Sequence, residues 1–189
     1  MRKVLFIFAL LLAGLTAGAQ DIELTPEGAY EKKEVVVVDS VSAAVLYDRA
    51  MVALSDWTGP DGKANVGIDY QNQETHTVIY KGTFYLGFKA TLLGAGWHRY
   101  GNFTLKVRCK DGRSQVIITV GEITGIYNRD NIERAWTIAE IKEAAKKSKG
   151  AKRERGEMLL ADIVDTADGI MAAMGAKLKA ADGGDDDDF

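Results

Sequence analysis

Two stretches of the chain alternate between apolar and polar residues, and this period of two constrains the fold more than any other feature. Over 75–89 one side would carry His76, Val78, Tyr80, Gly82, Phe84, Leu86 and Phe88. The other side would carry Thr75, Thr77, Ile79, Lys81, Thr83, Tyr85 and Lys89. Over 103–120 the apolar positions are Phe103, Leu105, Val107, Cys109, Val116, Ile118 and Val120. Such alternation is typical of an antiparallel sheet with one buried face and one polar face.

Two local signals interrupt the second stretch. Asp111-Gly112 stands between two alternating runs and predicts a tight hairpin turn. Gly121 breaks the alternation, which Ile123 then resumes, and this pattern predicts a β-bulge. A glycine-rich segment, 93–101, is interpreted as the connection between the two stretches.

The segments before the alternating stretches predict a strand followed by a helix. After a polar arm at 21–33, the β-branched run Glu34–Asp39 predicts a strand that is buried on both faces. Apolar residues then recur at helical spacing over Val41–Trp57, with Ser40 or Ser42 available as the N-cap. Turn-forming residues at 58–62 end this helix.

After about Ile132 the apolar spacing becomes helical. A short amphipathic segment precedes Lys142–Arg155, which holds seven basic and two acidic residues. Met158–Ala180 predicts a long second helix. The last residues, 181–189, are rich in aspartate and predict a disordered acidic tail.

Strands that cluster rather than alternate with helices predict an α+β fold. We expect an antiparallel sheet of about five strands with helices on one face, in the order β-α-β-β-β-β-α. This single domain would span 34–180. The formal net charge of the whole chain at pH 7 is −3.

The first twenty residues predict export. Arg2 and Lys3 precede an apolar run over 4–12, and Ala17-Gly18-Ala19 forms a cleavage site, so that Ala19 or Gln20 would end the signal peptide. The apolar run is shorter than the roughly 20 residues that a membrane span needs, and no later segment is a transmembrane candidate. We therefore expect a protein in the periplasm or outside the cell.

Charge and cysteine content narrow the possible partners. Loss of the two basic residues of the signal peptide would leave the mature chain near −5, so neither its charge nor its destination suits nucleic acid. The single cysteine, Cys109, excludes an internal disulfide and falls on the apolar side of its strand, where an inert buried thiol is expected.

The sequence carries no catalytic signature. His76 and His98 are isolated from one another and from any cysteine pair, so no metal site is predicted. We expect no cofactor. A hydrolase acting on envelope material remains an alternative, and it would need folding to bring Asp69 or Glu122 close to His76.

The order of elements resembles a family of secreted proteins from Gram-negative gut bacteria, a domain of unknown function with a TATA-binding-protein-like (TBP-like) fold. The resemblance rests on the Glu34–Asp39 strand and its helix, the hairpins 75–89 and 102–124, and the segment 137–141 before a long helix. Gly94–Trp97 has no counterpart in that pattern. The resemblance implies a fold and a location but no activity and no functional residues.

We interpret the chain as a non-enzymatic binding or interaction module. The polar sheet face would present Lys81, Tyr85, Lys106 and Arg108 to a protein, a peptide or an anionic glycan. In a second interpretation, Lys142–Arg155 makes a peripheral electrostatic contact with an anionic surface or with a cell-envelope assembly of which the chain is a subunit.

The predicted signal peptide can be tested by expression of the whole chain in a Gram-negative host. We expect the periplasmic protein to begin after Ala19 or Gln20, as read by intact-mass spectrometry. The double substitution Leu10→Arg with Leu11→Arg would interrupt the apolar run and keep the uncleaved chain in the cytoplasm, whereas Lys3→Arg would have no effect. Processing that is unaffected by the two arginines would contradict the prediction.

Overall fold

The long strands of the protein turn alternate side chains toward one side of a sheet, where three helices lie. In the computed structural model, which describes residues 22–57, 67–91 and 94–180, the elements follow one another in a mixed order. They are β1 (Tyr30–Val37), α1 (Ala43–Ser55), β2 (Gly67–Asn72), β3 (Thr77–Ala90), β4 (Gly96–Lys110), β5 (Arg113–Tyr127), β6 (Glu133–Thr137), α2 (Ile138–Lys147) and α3 (Ala151–Lys179).

All strand pairs in the sheet are antiparallel, and the spatial order is β1-β5-β4-β3-β2, with β6 also paired to β5. The first half of β5 pairs with β1 and its second half pairs with β6. Two short strands therefore follow one another along the same edge of β5. The α+β class is confirmed, with six strands and three helices among the described residues instead of the five strands and two helices of the prediction.

The hairpin and the bulge lie where the sequence predicts them. Lys110 pairs with Arg113 across the Asp111-Gly112 turn, and Gly112 has a φ of 75°, a left-handed conformation that glycine adopts at low cost. Asn102 pairs with Glu122 but Phe103 pairs with Val120, so Gly121 is the extra residue of the bulge.

The core fills the space between one sheet face and helices α1 and α3. The buried sheet positions are those of the predicted apolar face, among them Val78, Tyr80, Phe84, Phe103, Leu105, Val107, Val116, Ile118 and Val120. Helix α1 contributes Leu46, Ala50 and Leu54, and α3 contributes Ile163, Met171, Met174 and Leu178. Removal of this much apolar surface from water is the main stabilising contribution to the fold.

The prediction for the first strand is wrong in two respects. The strand begins at Tyr30, inside the segment interpreted as a polar arm, and it lies at the sheet edge. It is also not buried on both faces, because Val35 and Val37 are 54% and 56% exposed on the side away from the helices. A β-branched run indicates a strand but does not show whether a second layer covers it.

Three further boundaries differ from the prediction. Strand β4 begins at Gly96, within the segment interpreted as a connection. His76 lies in the turn before β3 with a φ of 45° and not in the strand itself, and its half-buried ring meets Tyr47 of α1 edge-on. The segment after Ile132 first forms β6 and becomes helical only at Ile138, because Thr137 and Glu140 form a capping box that starts α2 there.

The helices match the predicted periodicity with shifted ends. Helix α1 is shorter than predicted, and Ser42 is its N-cap, accepting a hydrogen bond from the Val45 amide. The basic stretch 142–155 is divided between α2 and α3, which are separated by a break at 148–150, and α3 begins seven residues before the predicted Met158. The predicted signal peptide, the turn at 58–62 and the acidic tail lie outside the described residues.

Close packing between β3 and β4 gives a stability prediction. A Cβ atom at Gly82 would overlap the Phe103 ring, whereas a Cβ atom at Gly121 would meet nothing within 4 Å. Gly82→Ala should therefore lower the free energy of unfolding by about 1–3 kcal/mol, the usual cost of overpacking. Gly121→Ala, the matched control, should change it by less than about 0.5 kcal/mol. Equal denaturation midpoints in urea for the two variants would contradict this packing.

The core thiol gives a second prediction. Cys109 is buried at 3% exposure, and burial raises the pKa of its thiol, while a hydrogen bond from Ser114 Oγ at 3.3 Å opposes this effect only in part. A raised pKa leaves less thiolate at pH 8, and thiolate is the reactive form. We expect a thiol reagent such as DTNB to label Cys109 only after denaturation. Labelling of the native protein as fast as that of the denatured chain would refute the assignment.

Candidate functional site

The sheet face away from the helices is open and carries mixed polar and aromatic side chains. Cross-strand neighbours on this face follow from the register: Val35, Gln115, Arg108 and Thr77 form one row, and Lys33, Ile117, Lys106 and Ile79 form the next. Most of these side chains are half-buried or exposed, in contrast to the buried positions on the helix side. The face therefore offers a broad surface on which a partner could lie.

A groove of about 800 Å³ lies on this face near the β4–β5 turn. Its basic lining residues come from two adjacent strands: Lys106, Arg108, Lys110 and Arg113. Apolar parts of Val35, Tyr70 and Ile79 lie between and beside them. Such a combination can attract an anion by charge and bury apolar surface of the same ligand.

The four basic side chains of this groove have no carboxylate partner within 4.0 Å in the described part of the chain. Other lysines of the sheet do have such partners: Lys81 Nζ lies 3.1 Å from Asp69 Oδ2, and Lys33 Nζ lies 2.9 Å from Glu31 Oε1. Among the described residues, unpaired positive charge is thus concentrated at the turn end of β4 and β5, whereas Lys33, at the edge strand in the row of Lys106, and Lys81, farther along the face, are neutralised.

The four predicted site residues lie on this face, but the structure brings only two of them together. Lys106 and Arg108 are alternate residues of β4 and line the basic groove. Lys81 lies diagonally from Lys106, since it pairs with Thr104, and its charge is engaged by Asp69. Tyr85 lies about four residues, or roughly 13 Å, farther along β3.

Tyr85 belongs to an aromatic cluster that the sequence interpretation missed. Its hydroxyl lies 3.0 Å from His98 Nδ1, and its ring lies 5.3 Å from that of Tyr100. The ring of Phe88 lies 4.9 Å from that of His98. The interpretation of 93–101 as a connection concealed the cluster, although His98, Tyr100 and Asn102 continue the period of two seen in the rest of β4.

Lys110 and Arg113 were also missed as site residues. Both flank the Asp111-Gly112 turn, and a charged residue beside a turn is ordinarily explained by solvent exposure. Lys110 lies on the same face of β4 as Lys106 and Arg108, because the three residues are spaced two apart. This spacing could have identified it as a site residue.

The residues of the hydrolase alternative do not come together. Asp69 contacts Lys81, and Glu122 Oε1 accepts a hydrogen bond from Asn102 Nδ2 at 3.1 Å. His76 adjoins Thr77, whereas Glu122 is in the row of Thr83, so about six residues, or roughly 20 Å, separate them along the sheet. In the described part of the chain, no hydrogen bond joins either carboxylate to this imidazole, so the acid–base pair that the hydrolase alternative needs is not formed.

The basic stretch 142–155 is partly neutralised within its own helices. Lys147 Nζ lies 3.0 Å from Glu143 Oε1, and Arg153 Nε lies 2.6 Å from Glu157 Oε1. Lys142 Nζ donates to the Ile22 carbonyl oxygen at 2.5 Å, and so connects α2 to the N-terminal segment. Three of the seven cations in this stretch therefore already have partners within the protein.

The described residues were also searched for a membrane-spanning helix and for a metal site. No helix among them is long and apolar enough to cross a membrane. Within the same ranges, no three His, Cys, Asp or Glu side chains lie together in an arrangement that could hold a metal ion.

Solved structures of other proteins have a fold similar to the one described above. The chain is similar to a crystal structure of a DUF4468 family protein from Bacteroides ovatus, with a TM-score of 0.60 and 18% identity over 88% of this chain and 94% of that one. It is also similar to a TBP-like protein from Parabacteroides distasonis, with a TM-score of 0.61 and 11% identity over 85% of this chain and 98% of that one. At these identities the likeness shows the fold alone. No curated protein matches the chain.

A family model matches nearly half of the chain by sequence. Residues 33–122 match the family described as a domain of unknown function, DUF4468, with TBP-like fold. The match begins within β1 and ends just after the β5 bulge, so it covers the open sheet face with its basic groove. The resemblance to a domain of unknown function with a TBP-like fold is thereby confirmed: residues 33–122 match the DUF4468 family model, and the fold is that of its TBP-like structural neighbours.

Proposed function

We propose that the protein is an exported, non-enzymatic binding module and that its open sheet face binds an anionic partner, either an acidic protein or peptide or an anionic glycan. The observation that carries the proposal is the basic groove, in which four cationic side chains surround apolar surface without carboxylate partners among the described residues. Export, expected from the first twenty residues, would make such a partner an envelope or extracellular component.

The local charge supports an anionic partner despite the acidic character of the chain. The whole sequence has a net charge of −3, so four neighbouring cations stand out from their surroundings. Keeping like charges close together costs free energy, and an anion that lies between them relieves this repulsion. A ligand of opposite charge would also be steered toward the groove, most strongly at low ionic strength.

The apolar side chains of the groove support binding by contact as well as by charge. Val35 and Tyr70, which are 54% and 46% exposed, flank the cations. Burial of such surface stabilises a complex by roughly 25 cal/mol per Å² of apolar area. An extended partner could thus contact Arg108 with an anionic group and Val35 with an apolar one.

The absence of a joined acid–base pair favours binding over the hydrolase alternative. His76 is held against Tyr47 in a turn, and the two candidate carboxylates contact other residues. The groove itself contributes cations and aliphatic or aromatic surface, and these groups orient a ligand without transferring a proton. The second interpretation, contact through 142–155, gains less support because several of its cations are engaged within the helices.

The proposal can be tested with dextran sulfate and poly-L-glutamate as anionic probes and neutral dextran as the reference. The double variant Lys106→Gln with Arg108→Gln should raise the Kd for the better probe about 5- to 30-fold at low salt, because an exposed charge pair contributes roughly 0.5–1 kcal/mol. The salt dependence of binding should fall in parallel. Biolayer interferometry at several salt concentrations would measure both effects.

A matched control separates the groove from general charge. The double variant Lys146→Gln with Lys149→Gln removes the same charge from the basic stretch, outside the groove, and should leave the Kd within about twofold. Equal losses in both double variants would point to unspecific attraction and would contradict the proposal. Equal affinity for neutral dextran would also contradict it.

A further inference from the structure

A second cavity, of about 600 Å³, lies on the other side of the sheet, between its far end and helices α2 and α3. Its wall is dominated by large apolar side chains, including Trp97, Trp136, Ile141 and Leu159. The rings of Trp97 and Trp136 meet edge to face with centroids 5.7 Å apart. A volume of this size falls in the range of roughly 300–1,000 Å³ that is common for small-molecule sites.

One polar group in this wall has an incomplete set of hydrogen bonds. Arg99 comes from β4 and lines the cavity, and its Nε–H is buried without a hydrogen-bond partner in the described part of the chain. Its Nη2 donates to the Leu86 carbonyl oxygen at 3.0 Å, and this contact holds the side chain in place. Buried donors are nearly always satisfied in proteins, so this guanidinium keeps hydrogen-bonding capacity that the described residues do not use.

The charges around the cavity favour an anionic acceptor. Lys89, Lys152 and Arg155 also line it, whereas its two carboxylates are those of Glu140 and Asp162. The Glu140 carboxylate already accepts from the Thr137 amide and hydroxyl as part of the capping box. The balance around Arg99 is therefore positive, and a guanidinium pairs best with a carboxylate.

The outer wall of the cavity is held in a defined position. Helices α2 and α3 approach so closely where Ala145 faces Gly156 that a Cβ atom at Gly156 would lie 2.6 Å from that of Ala145. Ala145 is buried, and Gly156 lines the cavity just beyond this contact. The space between the helices and the tryptophans is thus a consequence of the backbone packing.

We propose that this cavity binds a single-chain amphiphile with a terminal carboxylate, a long-chain carboxylic acid in its ionised form. The carboxylate would pair with the Arg99 guanidinium in the cavity wall, and the hydrocarbon chain would lie against Trp97 and Trp136. The site is independent of the basic groove, because Arg99 and Trp97 alternate along β4 with the residues of the open face. Either site could exist without the other.

Dodecanoate is a suitable probe, with dodecanol as the uncharged reference of the same chain length. Two of the three tryptophans line the cavity, and the third, Trp57, packs against Tyr80 and Phe103 elsewhere in the core. We expect a saturable change in tryptophan fluorescence with dodecanoate below its micellar concentration. Dodecanol should bind about tenfold or more weakly, since a hydrogen bond between charged groups is lost.

Two variants locate the site. Arg99→Gln should reduce the preference for dodecanoate over dodecanol to less than about threefold, with its melting temperature measured to confirm folding. Ala144→Trp changes an exposed residue of α2 that lines the cavity, so the new ring should occupy the space and abolish binding. Ala172→Trp, at an exposed position of α3 that does not line the cavity, is the matched control and should bind normally.

The outcomes distinguish this proposal from the one for the open face. Lys106→Gln with Arg108→Gln should leave dodecanoate binding unchanged, and Ala144→Trp should leave dextran sulfate binding unchanged. Absence of saturable dodecanoate binding would overturn the proposal, as would equal binding by Ala144→Trp and Ala172→Trp. Equal affinities for dodecanoate and dodecanol in the unaltered protein would overturn the role of Arg99.

Discussion

Burial of a single sheet face beneath α1 and α3 is the constraint on which the rest of the structure depends. Strands β3, β4 and β5 alternate apolar and polar residues, so one register places most of their apolar side chains under the helices, and a slip by one residue would expose these side chains. The helices have enough apolar surface to cover this face, and the opposite face stays open to solvent. The basic groove exists because none of the described helices or strands covers that second face.

The parts of the fold that could be predicted are those in which the local sequence pattern allows only one secondary structure. The long alternating runs predict β3 and the β4–β5 hairpin, and the Asp111-Gly112 turn and the Gly121 bulge fix their register. The same runs place the buried core correctly, including Cys109. In each case the side-chain period and the turn chemistry agree.

The parts that could not be predicted depend on tertiary contacts. Strand β6 has only five residues, and it becomes a strand because β5 extends beyond β1 and offers it an unpaired edge. The run of valines in β1 is typical of a strand that is buried on both faces. Whether anything covers the second face depends on where the helices pack, and the run itself does not indicate this. The strand propensity of such short segments is set mainly by the strand that they pair with, so their own residues do not predict their structure.

The candidate sites divide in the same way. Lys106 and Arg108 could be assigned to the open face from the alternation of apolar and polar residues alone. The ion pair between Lys81 and Asp69 could not be predicted, because it depends on an irregularity in β2 between Ile68 and Tyr70. The cavity around Arg99 joins β4 to two helices that lie far along the chain, so no spacing in the sequence indicates it. Both proposed sites follow from one arrangement, a sheet that the described helices cover on one side and leave open on the other.

That arrangement is tested most directly by hydroxyl-radical footprinting of the purified protein, with modified side chains identified by mass spectrometry. Two tyrosines of β3 make a matched pair, since Tyr80 is 1% exposed beneath the helices and Tyr85 is 42% exposed on the open face. The structure predicts rapid modification of Tyr85 and protection of Tyr80 until the protein unfolds. Equal protection of the two rings would show that both faces are covered and would contradict the account.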